Sequence, residues 1–226
     1  MAVIPQLRIK TIEYPERDGQ PLGETGFHVT LIAYCLSMLR SFFRGRTDVY
    51  VGSNMFVYYH EGEPRKSVAP DLFIAFGVSG HERRVWKVWE EGKGPDVVFE
   101  FSSRETWDED LGSKKGLYEW MGVQEYFLFD LLEEYLEPRL QGFRLEGGAY
   151  RPLLPTGPEE LVSESLGLVL RAKEDELQMF RSDTGERLLP PLELAEGLEA
   201  AESHLQAAQT EIARLQAEID RLKRGE

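Results

Sequence analysis

The chain is short of several things that would each announce a function. Its single cysteine, Cys35, excludes an internal disulfide. Lying in the apolar stretch Leu31-Ile32-Ala33-Tyr34-Cys35-Leu36, it reads as a small buried hydrophobe rather than a reactive thiol. No run of about 18 apolar residues is present, which argues against a membrane-spanning helix. The first ten residues lack the charged segment and long apolar core of a secretory signal, so a cytoplasmic location is expected. There is no GxxxxGK[ST] phosphate loop, no zinc-ligand spacing and no helix-turn-helix pattern. Positive charge is scarce: 26 basic residues face 40 acids, a net charge of −14, which excludes a protein that coats nucleic acid by bulk attraction. A local basic patch from Arg40, Arg44, Arg46, Arg65 and Lys66, or a solvated face carrying the same residues, remains compatible with that balance.

What is present suits a globular domain with an appendage. Apolar residues at 42% and aromatics at 11% supply a core for a chain of 226 residues. Up to about Glu24 the chain mixes Pro, Gly and charge and reads as an extended lead-in. From Glu24 to Phe43, Phe27, Leu31, Tyr34, Met38 and Phe42 recur at helical spacing, and Gly45 follows as a stop. Val49 to Val51 and Met55 to His60 suggest a hairpin around Gly52-Ser53-Asn54. A strand is expected over Ala69 to Val78, and another over Asp96 to Ser102, whose β-branched and aromatic run predicts burial on both faces. A helix over Asp108 to Met121 ends at Gly122, and strands resume at Glu125 to Leu131 and in the tail, at Phe143 to Leu145, Ala149 to Leu154, Leu168 to Leu170 and Leu177 to Phe180. This order predicts an α/β or α+β fold with a mixed sheet.

The C-terminal segment has a different character. Leu198, Ala201, Leu205, Ala208, Ile212, Leu215, Ile219 and Leu222 are separated by alternating steps of three and four. That heptad is the pattern of a two-stranded coiled-coil seam, weakened by its alanines. Residues 1–189 are therefore expected to form the folded domain and 190–226 a coiled coil that pairs with a second copy; an amphipathic helix folded back on its own domain is the alternative.

Chemistry is suggested between Pro70 and Asp130. Asp71 heads one apolar strand, and Glu100 sits within Val97-Val98-Phe99-Glu100-Phe101. A carboxylate in such a strand is costly unless its charge is offset. Should the two strands pair, Asp71 and Glu100 would converge on one divalent cation, which Mg²⁺ favours through hard oxygen ligands. Asp110, Lys114 and Tyr118, four residues apart in succession, share a helix face, so Lys114 could stabilise charge while a metal-activated water attacks a phosphodiester. Plainer roles exist for each: Asp71 as a turn residue, Glu100 paired with a buried arginine, Lys114 in a surface pair with Asp110.

These residues also carry a resemblance. Ala69-Pro70-Asp71, Pro95-Asp96-Val97-Val98-Phe99-Glu100-Phe101-Ser102-Ser103 and Asp110-Leu111-x-x-Lys114-x-x-x-Tyr118-x-x-x-Gly122-Val123-x-Glu125-Tyr126, closing on Phe129-Asp130, resemble the bacterial Uma-two family of restriction-endonuclease-like proteins in the PD-(D/E)XK nuclease superfamily. The resemblance implies a restriction-endonuclease-like mixed β-sheet flanked by helices and a Mg²⁺-dependent centre (Mn²⁺ as substitute) that cleaves DNA. It makes Asp71 and Glu100 metal ligands and Lys114 the catalytic lysine, relocated to the helix because Ser102 stands where the superfamily usually has lysine. It adds Glu24 as a candidate third metal ligand and His28 as a match to a family histidine. The competing expectation is a catalytically silent nuclease fold that serves as a dimeric interaction platform through its coil.

Overall fold

The computed structural model describes residues 12–16, 26–174 and 176–224, and the chain separates into two units, Met1–Leu188 and Leu189–Glu226. The first unit is built on a six-stranded sheet. Its strands are β1 (Val49–Ser53), β4 (Leu72–Phe76), β6 (Val97–Phe101), β7 (Glu125–Phe129), β8 (Leu140–Glu146) and β9 (Ala149–Pro152), side by side in that order. Only β6 and β7 run parallel; every other pair is antiparallel. The continuous apolar runs of β6 and β7 are buried throughout, as central strands covered on both faces must be.

Each face has its own core. On one side Val97, Phe99 and Phe101 of β6 pack with helix α1 (Gly26–Phe42) and with a three-stranded sheet of β10 (Glu160–Ser163), β11 (Leu168–Lys173) and β12 (Glu176–Arg181). On the other, Val98 joins Tyr118, Tyr126, Phe73 and Trp86, the last from a small sheet of β2 (Val57–Tyr58), β3 (Ser67–Val68) and β5 (Trp86–Lys87), after which comes the short helix α2 (Val88–Glu91). Because strand side chains alternate, Glu100 falls on this second face, beneath the helical crossover that a parallel pair requires. Cys35 is fully buried in the first core, and burial drives its thiol far above the ordinary range.

Two local expectations are corrected. Gly52-Ser53-Asn54 is not a hairpin turn: β1 pairs with β4, and β2 leaves for the other sheet. Gly52 is a strand residue that leaves room for the Phe73 ring, whose atoms would lie 2.4 Å from an added Cβ. Asn54, at φ 46°, makes the bend, and its N–H donates to the carbonyl of Pro70 at 3.1 Å. The crossover from β6 to β7 is likewise not one regular helix. It consists of α3 (Trp107–Glu109), a π-helical turn (Asp110–Lys114) and α4 (Lys115–Met121), ended by Gly122 at φ 79°.

The second unit is a single helix, α5 (Pro191–Arg224), roughly 50 Å long at 1.5 Å per residue. Leu198, Leu205, Ile212, Leu215 and Ile219 of the heptad stripe are all exposed. Among the described residues no helix is long and apolar enough to cross a membrane.

Candidate active site

Antiparallel pairing of β4 with β6 matches Leu72 with Phe99, so the next step of the ladder brings Asp71 opposite Glu100. The contacts follow from that register. The Asp71 N–H points at Glu100 Oε2 at 3.4 Å, and the Phe101 N–H donates to Asp71 Oδ2 at 2.8 Å. The Nε2 of His28, on the first turn of α1, lies 3.4 Å from the same Oδ2. Asp71 Oδ1 accepts no hydrogen bond from the described residues.

The crossover helix completes the wall. Tyr118 donates its hydroxyl to Glu100 Oε1 at 2.6 Å. Lys114 Nζ lies 3.1 Å from Glu100 Oε2 and 2.8 Å from Asp110 Oδ1. Ser102 donates to Asp110 Oδ2 at 3.2 Å, and Tyr126 donates to the Asp110 carbonyl at 2.9 Å. Successive steps of four in an α-helix drift about 40° each. The wide π turn takes up that drift, so that Asp110, Lys114 and Tyr118 all meet Glu100's neighbourhood. Such turns recur at functional sites.

Electrostatics follow from burial. The Glu100 side chain is 0% exposed and that of Asp110 1%, whereas Asp71 keeps 14%, so the cluster opens to solvent on the Asp71 side. Burial pushes the Glu100 carboxyl well above its ordinary range; Lys114 opposes the rise, and Asp71 and Asp110 add to it. Asp110 is raised for the same first reason, against Lys114. Burial would lower Lys114, but Glu100, Asp110 and Asp71 outweigh it and hold the ammonium protonated.

The structure therefore places Asp71, Glu100 and Lys114 together. Glu24 lies outside the described residues. Glu100 is paired with lysine and tyrosine, not with an arginine, and the Lys114–Asp110 pair is buried rather than on a helix surface. Asp110 is the participant whose depth the sequence reading missed. The signal for it was the run of three four-residue-spaced polar groups entering an otherwise apolar crossover. The arginines considered for a basic patch are partly committed: Arg46 grips Asp48 through two bonds of 2.9 and 2.6 Å, and Arg40 donates to the Val51 carbonyl.

Among the described residues no three His, Cys, Asp or Glu side chains converge as a ready-made metal cage. The donor set nonetheless suits a magnesium-like ion. Asp71 and Glu100 offer hard oxygens from neighbouring strands' residues, Asp71 Oδ1 accepts no hydrogen bond from the described residues, and Mg²⁺ commonly keeps several waters and takes only one or two carboxylates.

The model of the Uma2 family, described as "Putative restriction endonuclease", matches residues 5–173. No curated protein matches the chain. Among solved structures, a crystal structure from Anabaena variabilis, described as a "putative nuclease belonging to DUF820", is similar at 13% identity and a TM-score of 0.47, over 63% of this chain and 75% of that one.

Proposed function

The chain belongs to the Uma2 family of restriction-endonuclease-like nucleases, and on that premise we propose that it is a Mg²⁺-dependent endodeoxyribonuclease centred on Asp71, Glu100 and Lys114. The observation that carries the reading is that Asp71, just before β4, falls opposite Glu100 of β6 with its N–H 3.4 Å from Glu100 Oε2, and that an ammonium lies 3.1 Å from the same oxygen. A bound divalent ion would polarise the scissile phosphate and lower the pKa of the attacking water. Asp71 and Glu100 would hold it, Mn²⁺ serving as substitute. The Phe101 N–H orients Asp71, and the Tyr118 hydroxyl orients Glu100. Lys114, kept charged by its acidic neighbours, offers a fixed cation to the negative charge that develops on the phosphate. Asp110 sets the ammonium's position from behind.

The proposed enzyme acts in the cytoplasm on DNA as a homodimer. The exposed heptad stripe of α5 supports that pairing, because its leucines and isoleucines have no partner of their own within the helix. A second reading, a catalytically silent fold that serves as a platform, draws its support from the acidity of the chain, a net charge of −14.

Plasmid nicking separates the two. Wild-type protein with Mg²⁺ or Mn²⁺ is expected to nick supercoiled DNA, and chelator is expected to stop it. Asp71→Ala and Glu100→Ala are expected to lose cleavage while keeping their circular dichroism. Wild-type protein that nicks nothing with either ion, and binds neither by calorimetry, would leave only the platform.

A further inference from the structure

A cleft of about 300 Å³ adjoins the proposed centre. It starts at His28 and Ser102, which contact Asp71 and Asp110, and runs between the first turn of α1 and the loops that follow β6 and β7. Those loops leave the carboxyl ends of the one parallel pair in the sheet, the place where open α/β sheets receive ligands.

The cleft's walls are prepared rather than incidental. Asp130, fully buried, accepts the N–H groups of Leu132, Tyr135 and Leu136 and so fixes the loop after β7. That loop holds the Tyr135 ring nearly parallel to Trp107, at 13° with centroids 6.4 Å apart. The apolar lining includes Phe27 and Leu132, 68% and 56% exposed, an unusual cost on a soluble surface unless something covers them. At the mouth stands Arg104, exposed and without an ion pair to the described residues, whereas Arg139, Arg144 and Arg171 are all paired. Glu105 and Glu134 also face the cleft, which confines an anion to the Arg104 side.

We infer that this cleft receives one unstacked nucleotide beside the bond to be cut, its base against the surface of Phe27, Leu132 and Tyr135 and its phosphate on Arg104. The inference rests on the nuclease reading and names its substrate class: DNA with an unpaired nucleotide, whether single-stranded, bulged or forked. A fully stacked duplex keeps its bases inside and cannot fill an apolar cleft without flipping one out.

The test uses the full chain in chelator, so that nothing is cut. Anisotropy is measured with single-stranded, bulged and fully paired oligonucleotides of one sequence, and with 2-aminopurine at the unpaired position. Unpaired DNA is expected to bind at least tenfold more tightly than duplex and to quench the 2-aminopurine. Tyr135→Ala is expected to weaken binding by roughly 5- to 150-fold and relieve the quench. Arg104→Ala is expected to lower the salt slope by about 0.7, one phosphate contact on a single strand, and Arg104→Lys to restore it. Equal or tighter binding to duplex, or unchanged affinity in Tyr135→Ala and Arg104→Ala, overturns the cleft assignment while metal-dependent nicking still stands. Absence of binding to any DNA, together with absence of nicking, overturns both.

Discussion

Lys114→Met tests the electrostatic core of the site. Methionine keeps the length and apolar stem of the side chain but removes the ammonium that Glu100 and Asp110 share. Both carboxylates are essentially sealed from water, so solvent cannot replace the lost cation. Removing one partner of a buried pair costs about 3–5 kcal/mol, and a unit of this size loses about 2–4 °C of Tm per kcal/mol, so the variant should melt roughly 6–20 °C lower in chelator. Protonation limits the damage. Burial already raises the Glu100 pKa, and losing Lys114 removes the strongest influence opposing that rise and leaves only the Tyr118 hydroxyl against it. A carboxyl with its folded pKa above its unfolded one contributes stability that is complete below the ordinary carboxylate range. That stability drains away as pH climbs through the raised folded value. The Tm deficit of Lys114→Met should therefore be small at acidic pH and widen towards neutrality. Thermal melts followed by circular dichroism, in chelator across that range, measure it. Adding Mg²⁺ gives the second arm, since ligand at 100 times its Kd stabilises by about 2.7 kcal/mol and would partly replace the missing cation. A variant that melts with wild type at every pH would show that Glu100 and Lys114 do not form a buried charged pair, and the proposed role of Lys114 would go with it.

Three further outcomes are expected. Tyr118→Phe deletes the hydroxyl on Glu100 Oε1; it should cost about 1–3 kcal/mol in urea denaturation and weaken Mn²⁺ binding by calorimetry about 10- to 100-fold. Unchanged metal affinity would remove Tyr118 from the site. Gly52→Ala sets a Cβ against the Phe73 ring and should destabilise by about 1–3 kcal/mol, readable as a shifted urea midpoint; full stability would mean that the ring yields. Ile212→Asp combined with Leu215→Asp should convert a dimer into a monomer by light scattering while the melt of residues 26–188 stays in place. A wild-type protein already monomeric at micromolar concentration would refute the coil's role.

The contrast between what the sequence made legible and what it hid has a physical pattern. β6 could be read because five consecutive buried residues leave little else for Val97–Phe101 to be, and the end of the crossover could be read because Gly122 accepts a positive φ at little cost. Asp71 and Glu100 drew notice for a related reason: an acid in an apolar strand has to be offset by something. That requirement, however, says nothing about which strand lies beside which. Gly52-Ser53-Asn54 carries the composition of a turn, yet Gly52 is small because a ring from the neighbouring strand occupies its place, a demand visible only once β1 pairs with β4. Strand β10 was missed for a similar reason, since Glu160–Ser163 is short, alternates weakly and gains its order from Leu168–Lys173. The π turn belongs with these. Nothing between Asp110 and Lys114 forbids a regular α-helix; the wider turn is justified by contacts that the helix makes outside itself, with Glu100 on β6 and Tyr126 on β7. Asp110 follows from it, because only the widened turn carries that carboxylate inward to Ser102 and Lys114 instead of leaving it on the surface. If this is the right cause, relieving the outside contacts should let the turn relax. In Glu100→Gln, amide exchange across residues 110–114 should then accelerate relative to residues 115–121. Equal protection in the two segments would mean that the π turn is set by its own sequence after all.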